Sequence, residues 1–365
     1  MSAYVTGIGA YSAALGEMPA IWRRVREGTP FVRAAAEEPA GGEPSFIRFA
    51  SAATRACLRD ARVTADDLCR LRVGVVIASS KGDLGRLPER RIGSVGDVEA
   101  LLPSGAASAV ARALRLDGPV LCPVAACASG AAAIGAAMRL LDRDACDLVL
   151  AGASEGELPP LLTAGYERMG LVSRNGCRPF DRRRGGFVPC AGAVVLALQK
   201  RPSASPRAEV VTVKLSAEAH SAVDPEPGGE TLRATLAAAL DDAAVGRGEA
   251  VYINAHGTGT TAGDAAEAEG LAAALDGRAS VTVGSTKGAT GHWLGAAGAL
   301  EAALCVRALS DSFIPPTAGF TEPDPALPPL PGLGTSGPAG LDAAVSLSAG
   351  FGGHVGVVVL RPVEA

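Results

Sequence analysis

The sequence predicts an α/β protein in which helices are layered on buried sheets and the whole is assembled from two similar halves. Three observations predict it. Strand-like and helix-like segments alternate along nearly all of the 365 residues, the order that gives α/β layering. Two Ala/Gly-rich stretches with hardly a charge, CASGAAAIGAAMRLL from Cys127 and HWLGAAGALEAALC from His292, each follow a strand and a tight turn. A helix that is apolar all round is buried all round. KRPSASPRA, residues 200–208, has the composition of a linker. It divides the chain into residues 1–200 and 201–365, with one such helix in each half. The repetition is one of pattern, since identity between the halves is slight.

Short apolar runs bounded by turn residues predict strands at 4–8, 72–78, 147–151, 193–198, 209–214, 250–254, 280–284, 343–348 and 355–360. Longer apolar-periodic runs predict helices at 21–27, 46–60, 106–114, 127–141, 230–243, 264–275 and 292–309. Residues 315–340, rich in Pro and Gly, read as a long ordered loop.

Composition narrows the function classes. Hydrophobic residues make up 48% of the chain and aromatics 4%, so the bulk is small and branched side chains suited to close helix–sheet packing. The formal net charge of −4 gives nucleic-acid binding no electrostatic support. MSAYVTGIGA carries no signal-peptide pattern. No window approaches the roughly 18 apolar residues of a membrane span. The eight cysteines show no CxxC spacing, which predicts free core thiols in a reducing cytoplasm and no metal site.

The chemistry-bearing residues are few. Cys127, in VAACASGAAAIG, opens a buried helix, where the helix dipole favours a thiolate; small neighbours leave room for a substrate. A buried structural thiol is the other reading of the same residue. Three of the four histidines, His256, His292 and His354, lie in Gly-rich turns, NAHGTGT, TGHWLGAAG and GFGGHVG. Glycines there let backbone and ligand approach closely. His220 has no such context and reads as a surface residue.

On these motifs the chain resembles the elongating β-ketoacyl-ACP synthases of the thiolase superfamily. VAACASG resembles the family's cysteine motif, NAHGTGTTAGDAAE its first histidine motif, STKGATGHWLGAAGALE its lysine–histidine motif and GFGG its final glycine loop. RPFDRRRGGF and VTGIGAYS fit as well, so the likeness runs from Val5 to Leu360. It implies a five-layered αβαβα thiolase-like fold of two pseudo-duplicated halves, the first with the nucleophile and the second with both histidines and the lysine.

The resemblance further implies a decarboxylating Claisen condensation that lengthens an acyl chain with a malonyl-type unit, in fatty acid, polyene or polyketide synthesis. Cys127 would carry the acyl group, and His256 and His292 would hold the extender and its enolate. The backbone N–H groups of Cys127 and Phe351 would form the oxyanion hole. Lys287 would support the site, paired with Glu267. Thr258 and Thr260 would bind the pantetheine arm, Phe351 would gate it and Tyr166 would line the entrance. No cofactor is implied, because the substrates ride on the phosphopantetheine of an acyl carrier protein. The partner would be a second copy or a related ketosynthase-like subunit, joined through an edge strand at 119–123. Asp264 reads as a helix N-cap, and Arg182, Arg183 and Arg184 as a solvated loop or a carrier-docking patch.

The chain departs from the family pattern in three places. The region before Cys127 is short, so cap segments over the entrance are trimmed. GGFVPCAG, residues 185–192, lacks the usual Asp and Glu. The final loop has Ala349 where an aromatic is usual, His354 for a small hydroxyl residue and Val355 for Asn. The room at Ala349 would be filled by His354 and Trp293 or by the acyl chain. Two other functions fit the same residues: an acyltransferase without chain extension, and a silent partner subunit. A degradative thiolase would need a second cysteine in GFGGH.

Overall fold

The computed structural model describes residues 2–32, 44–84, 98–99, 101–202 and 206–363. Residues 203–205 of the expected linker lie outside them.

Each half has the same order of elements. The first runs β1 (Ala3–Ser12), α1 (Ser45–Asp60), β2 (Val73–Ala78), α2 (Gly105–Leu114), β3 (Val120–Leu121), α3 (Ser129–Asp142), β4 (Leu148–Glu155) and β5 (Gly192–Gln199). The second runs β6 (Ala208–Ala217), α4 (Glu230–Asp242), β7 (Val251–Asn254), α5 (Thr261–Ala274), β8 (Val281–Gly284), α6 (Ala297–Ser310), β9 (Ala343–Gly350) and β10 (His354–Arg361). The strands lie in the order β3-β2-β4-β5-β1 and β8-β7-β9-β10-β6. β3, β2 and β4 are parallel, as are β8, β7 and β9. β5 and β10 are antiparallel to both neighbours. The halves are therefore topological copies, and β1 joins β6 antiparallel through Ala3↔Val210, Tyr4↔Glu209 and Val5↔Ala208.

Alternating side chains sort the strands between layers. On β2, Val73, Val75 and Ile77 face an outer core with α1 and α2, while Val76 and Ala78 face the central core. On β9 and β10, Val345, Leu347, Val357 and Val359 face a second outer core with α4 and α5, while Ala344, Val358 and Leu360 face the centre. Strands buried on both faces read as continuous apolar runs, which is why nine were legible in the sequence. The result is α1/α2, sheet, α3/α6, sheet, α4/α5: five layers.

The two central helices cross at glycine. A Cβ on Gly130 would collide with the backbone N of Ala299; one on Gly298 would lie 3.2 Å from the backbone N of Ala131 and 2.6 Å from Ser348 Oγ. Both helices begin after a 3-10 turn, Ala126–Ala128 and Leu294–Ala296, so they start two and five residues later than the sequence pattern suggested. The expected loop at 315–340 is present apart from a two-residue strand, Gly337–Pro338, paired with Phe313–Ile314. Three helical segments escaped the sequence reading: Ala65–Arg70, Pro160–Arg168 and Lys287–Thr290. Among the described residues no helix is long and apolar enough to cross a membrane.

Gly130→Val should lower the unfolding free energy by about 1–3 kcal/mol or more, the usual range for overpacking. Gly165→Ala, in a helix where a Cβ meets nothing within 4 Å, should be neutral or gain roughly 0.5–1 kcal/mol. Urea unfolding of both variants checks this; equal stability of Gly130→Val and wild type would contradict the crossing.

Candidate functional site

The site lies at the carboxyl ends of the parallel strands of both sheets. After β3 the chain enters the turn Ala126–Ala128, where Ala126 has φ 47°. A left-handed backbone costs a residue with a Cβ about 1–2 kcal/mol. Ser129 Oγ holds the turn, accepting from the Ala125 N–H at 2.9 Å and donating to the Ala126 carbonyl at 2.7 Å. Cys127 sits at its apex. The second half repeats the turn before α6, with Leu294 at φ 48° and Gly295 in the cysteine's place.

His256 follows β7, and His292 follows the helical turn Lys287–Thr290 and Gly291 at φ 71°. The His292 backbone is clipped to the segment that departs from the family pattern. Its N–H donates to Val188 O at 2.8 Å, and its carbonyl accepts from the Cys190 N–H at 3.0 Å. Trp293 donates its indole N–H to Thr290 O at 3.0 Å, and its ring covers Gly192 so closely that no side chain fits there. Trp293 is thereby committed to Gly192, while His354 Nε2 lies against Gly352.

These turns converge. Cys127 Sγ is 3.3 Å from His292 Nε2, the two imidazole centroids are 5.4 Å apart, and Sγ and one nitrogen of each ring lie within 4.8 Å of one another. Lys287 Nζ donates to the His256 carbonyl and lies 3.4 Å from His256 Nδ1. A cation can only donate, so Nδ1 is the acceptor and the proton of a neutral His256 sits on Nε2.

The expected pairing of Lys287 with Glu267 is corrected. Lys287 forms its ion pair with Glu301, both almost fully buried. Glu267 accepts instead from the backbone N–H groups of His256 at 2.6 Å and Gly257 at 2.7 Å. The pattern misled because Glu267 belongs to the His256 motif. Glu301 was visible as the one charge in AGALEAALCV. Asp264 is not an N-cap either: Thr260 holds that position, and Asp264 ties two loops, accepting from Phe180 N–H at 2.7 Å and Gly259 N–H at 3.0 Å.

Burial governs the site's charges. It pushes the Cys127 thiol up to about 12, with Lys287 pulling it down and Glu155 and Glu301 adding to the rise. The resting residue is a thiol, not the helix-favoured thiolate that the sequence suggested. A helix end is worth about 0.3–1 kcal/mol to an anion, too little to offset that desolvation. Burial, then Lys287, holds His256 well below 6.5, with His292 adding to it; burial and Lys287 do the same to His292. Burial lifts Glu301 to about 7, Lys287 drawing it back. It lifts Glu267 to about 8 against its backbone donors.

An aromatic wall encloses the rings. Phe187 stands edge-on to His292 at 5.0 Å, Tyr166 packs on Phe187 at 5.7 Å, and Phe351 lies 6.0 Å from Tyr166. Phe187, unassigned in the sequence reading, carries this wall with Leu158 and Leu294. A Cβ on Gly350 would lie 2.8 Å from the Cys127 backbone N, so the final loop abuts the nucleophile's N–H. Ala349 is half-buried opposite Val355. Thr258 and Thr260 hydroxyls bond each other at 3.0 Å. Arg182 pairs with Glu322, Arg183 with Asp181 and Arg184 with Asp324; the run staples two loops together.

Comparison with known proteins agrees with this geometry. Residues 42–204 match the family model for the N-terminal domain of β-ketoacyl synthases and residues 207–321 that for the C-terminal domain. The chain is 33% identical over 362 residues to nodulation protein E of Rhizobium sp. (strain N33), covering 88% of this chain and 89% of the relative. It is 31% identical over 398 residues to 3-oxoacyl-[acyl-carrier-protein] synthase 2 of Synechocystis sp., covering 96% and 95%. The solved ishigamide ketosynthase/chain length factor superposes with a TM-score of 0.88 at 25% identity, over 100% of this chain and 99% of that one.

The lowered histidine values have a stability consequence. Below about 6.5 the unfolded chain binds protons at these rings that the folded chain does not, so the stability they confer is present above 6.5 and is lost as pH falls. His292→Asn should remove up to about 1.4 kcal/mol per pH unit from the acid-side decline. Denaturant unfolding between pH 7 and 5 checks this; an unchanged slope would contradict it.

Proposed function

The chain belongs to the β-ketoacyl synthase family, and on that premise we propose that it condenses a carrier-bound acyl group with a carrier-bound malonyl-type extender, losing carbon dioxide. The observation that supports this most is the meeting of the Cys127 thiol with two neutral imidazoles inside 4.8 Å.

Because the resting thiol is protonated, it needs a base as it attacks. His292 Nε2, at 3.3 Å, takes the proton while Sγ bonds to the acyl carbonyl carbon, then passes it to the departing carrier thiolate. Acyl-Cys127 and free carrier thiol result, with both rings neutral again. The extender's thioester carbonyl then sits against the ring N–H groups. As the carboxylate leaves as carbon dioxide, its electron pair becomes an enolate whose oxygen those N–H groups stabilise. A charged imidazolium is unnecessary and burial disfavours it. The enolate carbon attacks the acyl-Cys127 carbonyl. The oxyanion is held by the N–H groups of Cys127 and Phe351, and collapse releases the β-ketoacyl product and Cys127 thiolate, which regains a proton. Lys287 and Glu301 act through His256, fixing its tautomer. Thr258, Thr260, Tyr166, Phe351 and the space at Ala349 serve the pantetheine arm and acyl chain.

We assign the halves to residues 1–200 and 201–365. The carrier protein is the substrate's bearer, and no further cofactor enters the mechanism. A second subunit, like or related, is supported by β3, an edge strand whose Val120 and Leu121 are both exposed; such an edge invites pairing. Eight free cysteines favour a reducing cytoplasm.

His256→Ala and His292→Ala should each lose about 10²–10³ in carbon dioxide release from malonyl-carrier. In His256→Ala, acyl transfer to Cys127 should remain measurable by intact-mass spectrometry. Unchanged decarboxylation in either variant would sink these roles.

A further inference from the structure

We propose that Cys127, His256 and His292 also form a three-ligand trap for a thiophilic divalent ion of the zinc type, which inhibits the protein by occupying its nucleophile. The inference rests on geometry and donor chemistry and stands apart from the condensation reading.

One soft sulfur and two imidazole nitrogens are the donors that such ions select. Zn–S bonds of about 2.3 Å and Zn–N bonds of about 2.0–2.1 Å place tetrahedral ligand atoms about 3.3–3.6 Å apart. Sγ and His292 Nε2 are already 3.3 Å apart, and all three donors lie within 4.8 Å. Small ring rotations bring in the third. His256 Nδ1 is engaged by Lys287, which leaves Nε2 for the ion. Water takes the fourth position.

Protonation states favour capture. Both rings are held neutral to well below 6.5, so no proton competes for their lone pairs. Only Cys127 must release one: M²⁺ and the thiol give the metal thiolate and a proton to solvent. Thiolate and ion together add one positive charge beside Lys287, and the Glu301 and Glu155 carboxylates that act on Cys127 lie on the favourable side of that balance. Hard cations such as Mg²⁺ prefer oxygen cages and find none here. Sulfur bound to metal cannot attack a thioester, so ion and acyl group compete for one atom.

Co²⁺ titration of the reduced protein tests this without any condensation assay. One equivalent should produce a near-ultraviolet sulfur-to-metal charge-transfer band and the visible absorption of a four-coordinate site, both displaced by Zn²⁺ and absent with Mg²⁺. Zn²⁺ at 100 times its Kd should slow iodoacetamide alkylation of Cys127 about 100-fold by mass action, leaving the exposed Cys69 unprotected. Chelation should restore alkylation. The band should vanish in Cys127→Ala and in wild type pre-capped at Cys127, the latter avoiding any folding defect of the variant. A band that survives capping, or Zn²⁺ that binds without protecting Cys127, would overturn the proposal.

Discussion

The approach of α3 to α6 is the constraint on which the rest depends. Two helices with side chains no larger than hydrogen at Gly130 and Gly298 can bring their backbones together, and their starting turns come together with them. Cys127 heads one helix and the His292 turn precedes the other. A few tenths of an ångström at this crossing are transmitted directly to the distance between sulfur and imidazole, because packed interiors yield little. The duplicated topology explains why one crossing suffices. Each half supplies the same strand, turn and helix, and the pseudo-symmetry places the two turns face to face. The halves diverge at the apex, with Cys127 in one and Gly295 in the other; the glycine leaves space that a second side chain would fill.

Around that crossing the protein maintains a dry, nearly neutral site. An anion would be costly there, and the thiol is correspondingly raised. A positive imidazole would be costly too, and both rings are lowered. The one permanent pair of charges, Lys287 and Glu301, is buried and mutually satisfied. Breaking such a pair by removing one member typically costs about 3–5 kcal/mol. Its value to the site is orientation: Lys287 fixes which nitrogen of His256 carries the proton. A site built this way keeps charge low until a reaction generates it, when fixed N–H groups stabilise an oxyanion more strongly than water would.

The sequence made some of this legible for physical reasons. Strands buried on both faces leave continuous apolar runs, and central helices leave charge-free Ala/Gly stretches, so the layers could be read. Glycines beside His256 and His292 marked turns that carry functional side chains, and a cysteine heading a charge-free helix marked the nucleophile. Interactions between distant segments left weaker traces. Lys287 and Glu301 are neighbours through the fold, and motif membership drew attention to Glu267 instead. Phe187 resembled any loop aromatic until its ring met His292. GGFVPCAG looked like a loss of family residues, yet its backbone at Val188 and Cys190 holds His292 in place, a task that any side-chain set can perform. The state of the thiol could not be read from a helix start, because it depends on how completely both halves exclude water.

The central claim is that Cys127 and the two neutral histidines work as one condensing site. The most direct test is mass spectrometry of carrier-bound species after the protein is mixed with acyl-carrier and malonyl-carrier protein. The account predicts acyl-Cys127 first, and then a carrier-bound β-ketoacyl product two carbons longer than the acyl donor, with loss of carbon dioxide. Acyl transfer to a second acceptor with no extended product, under conditions where Cys127 acylates fully, would contradict it.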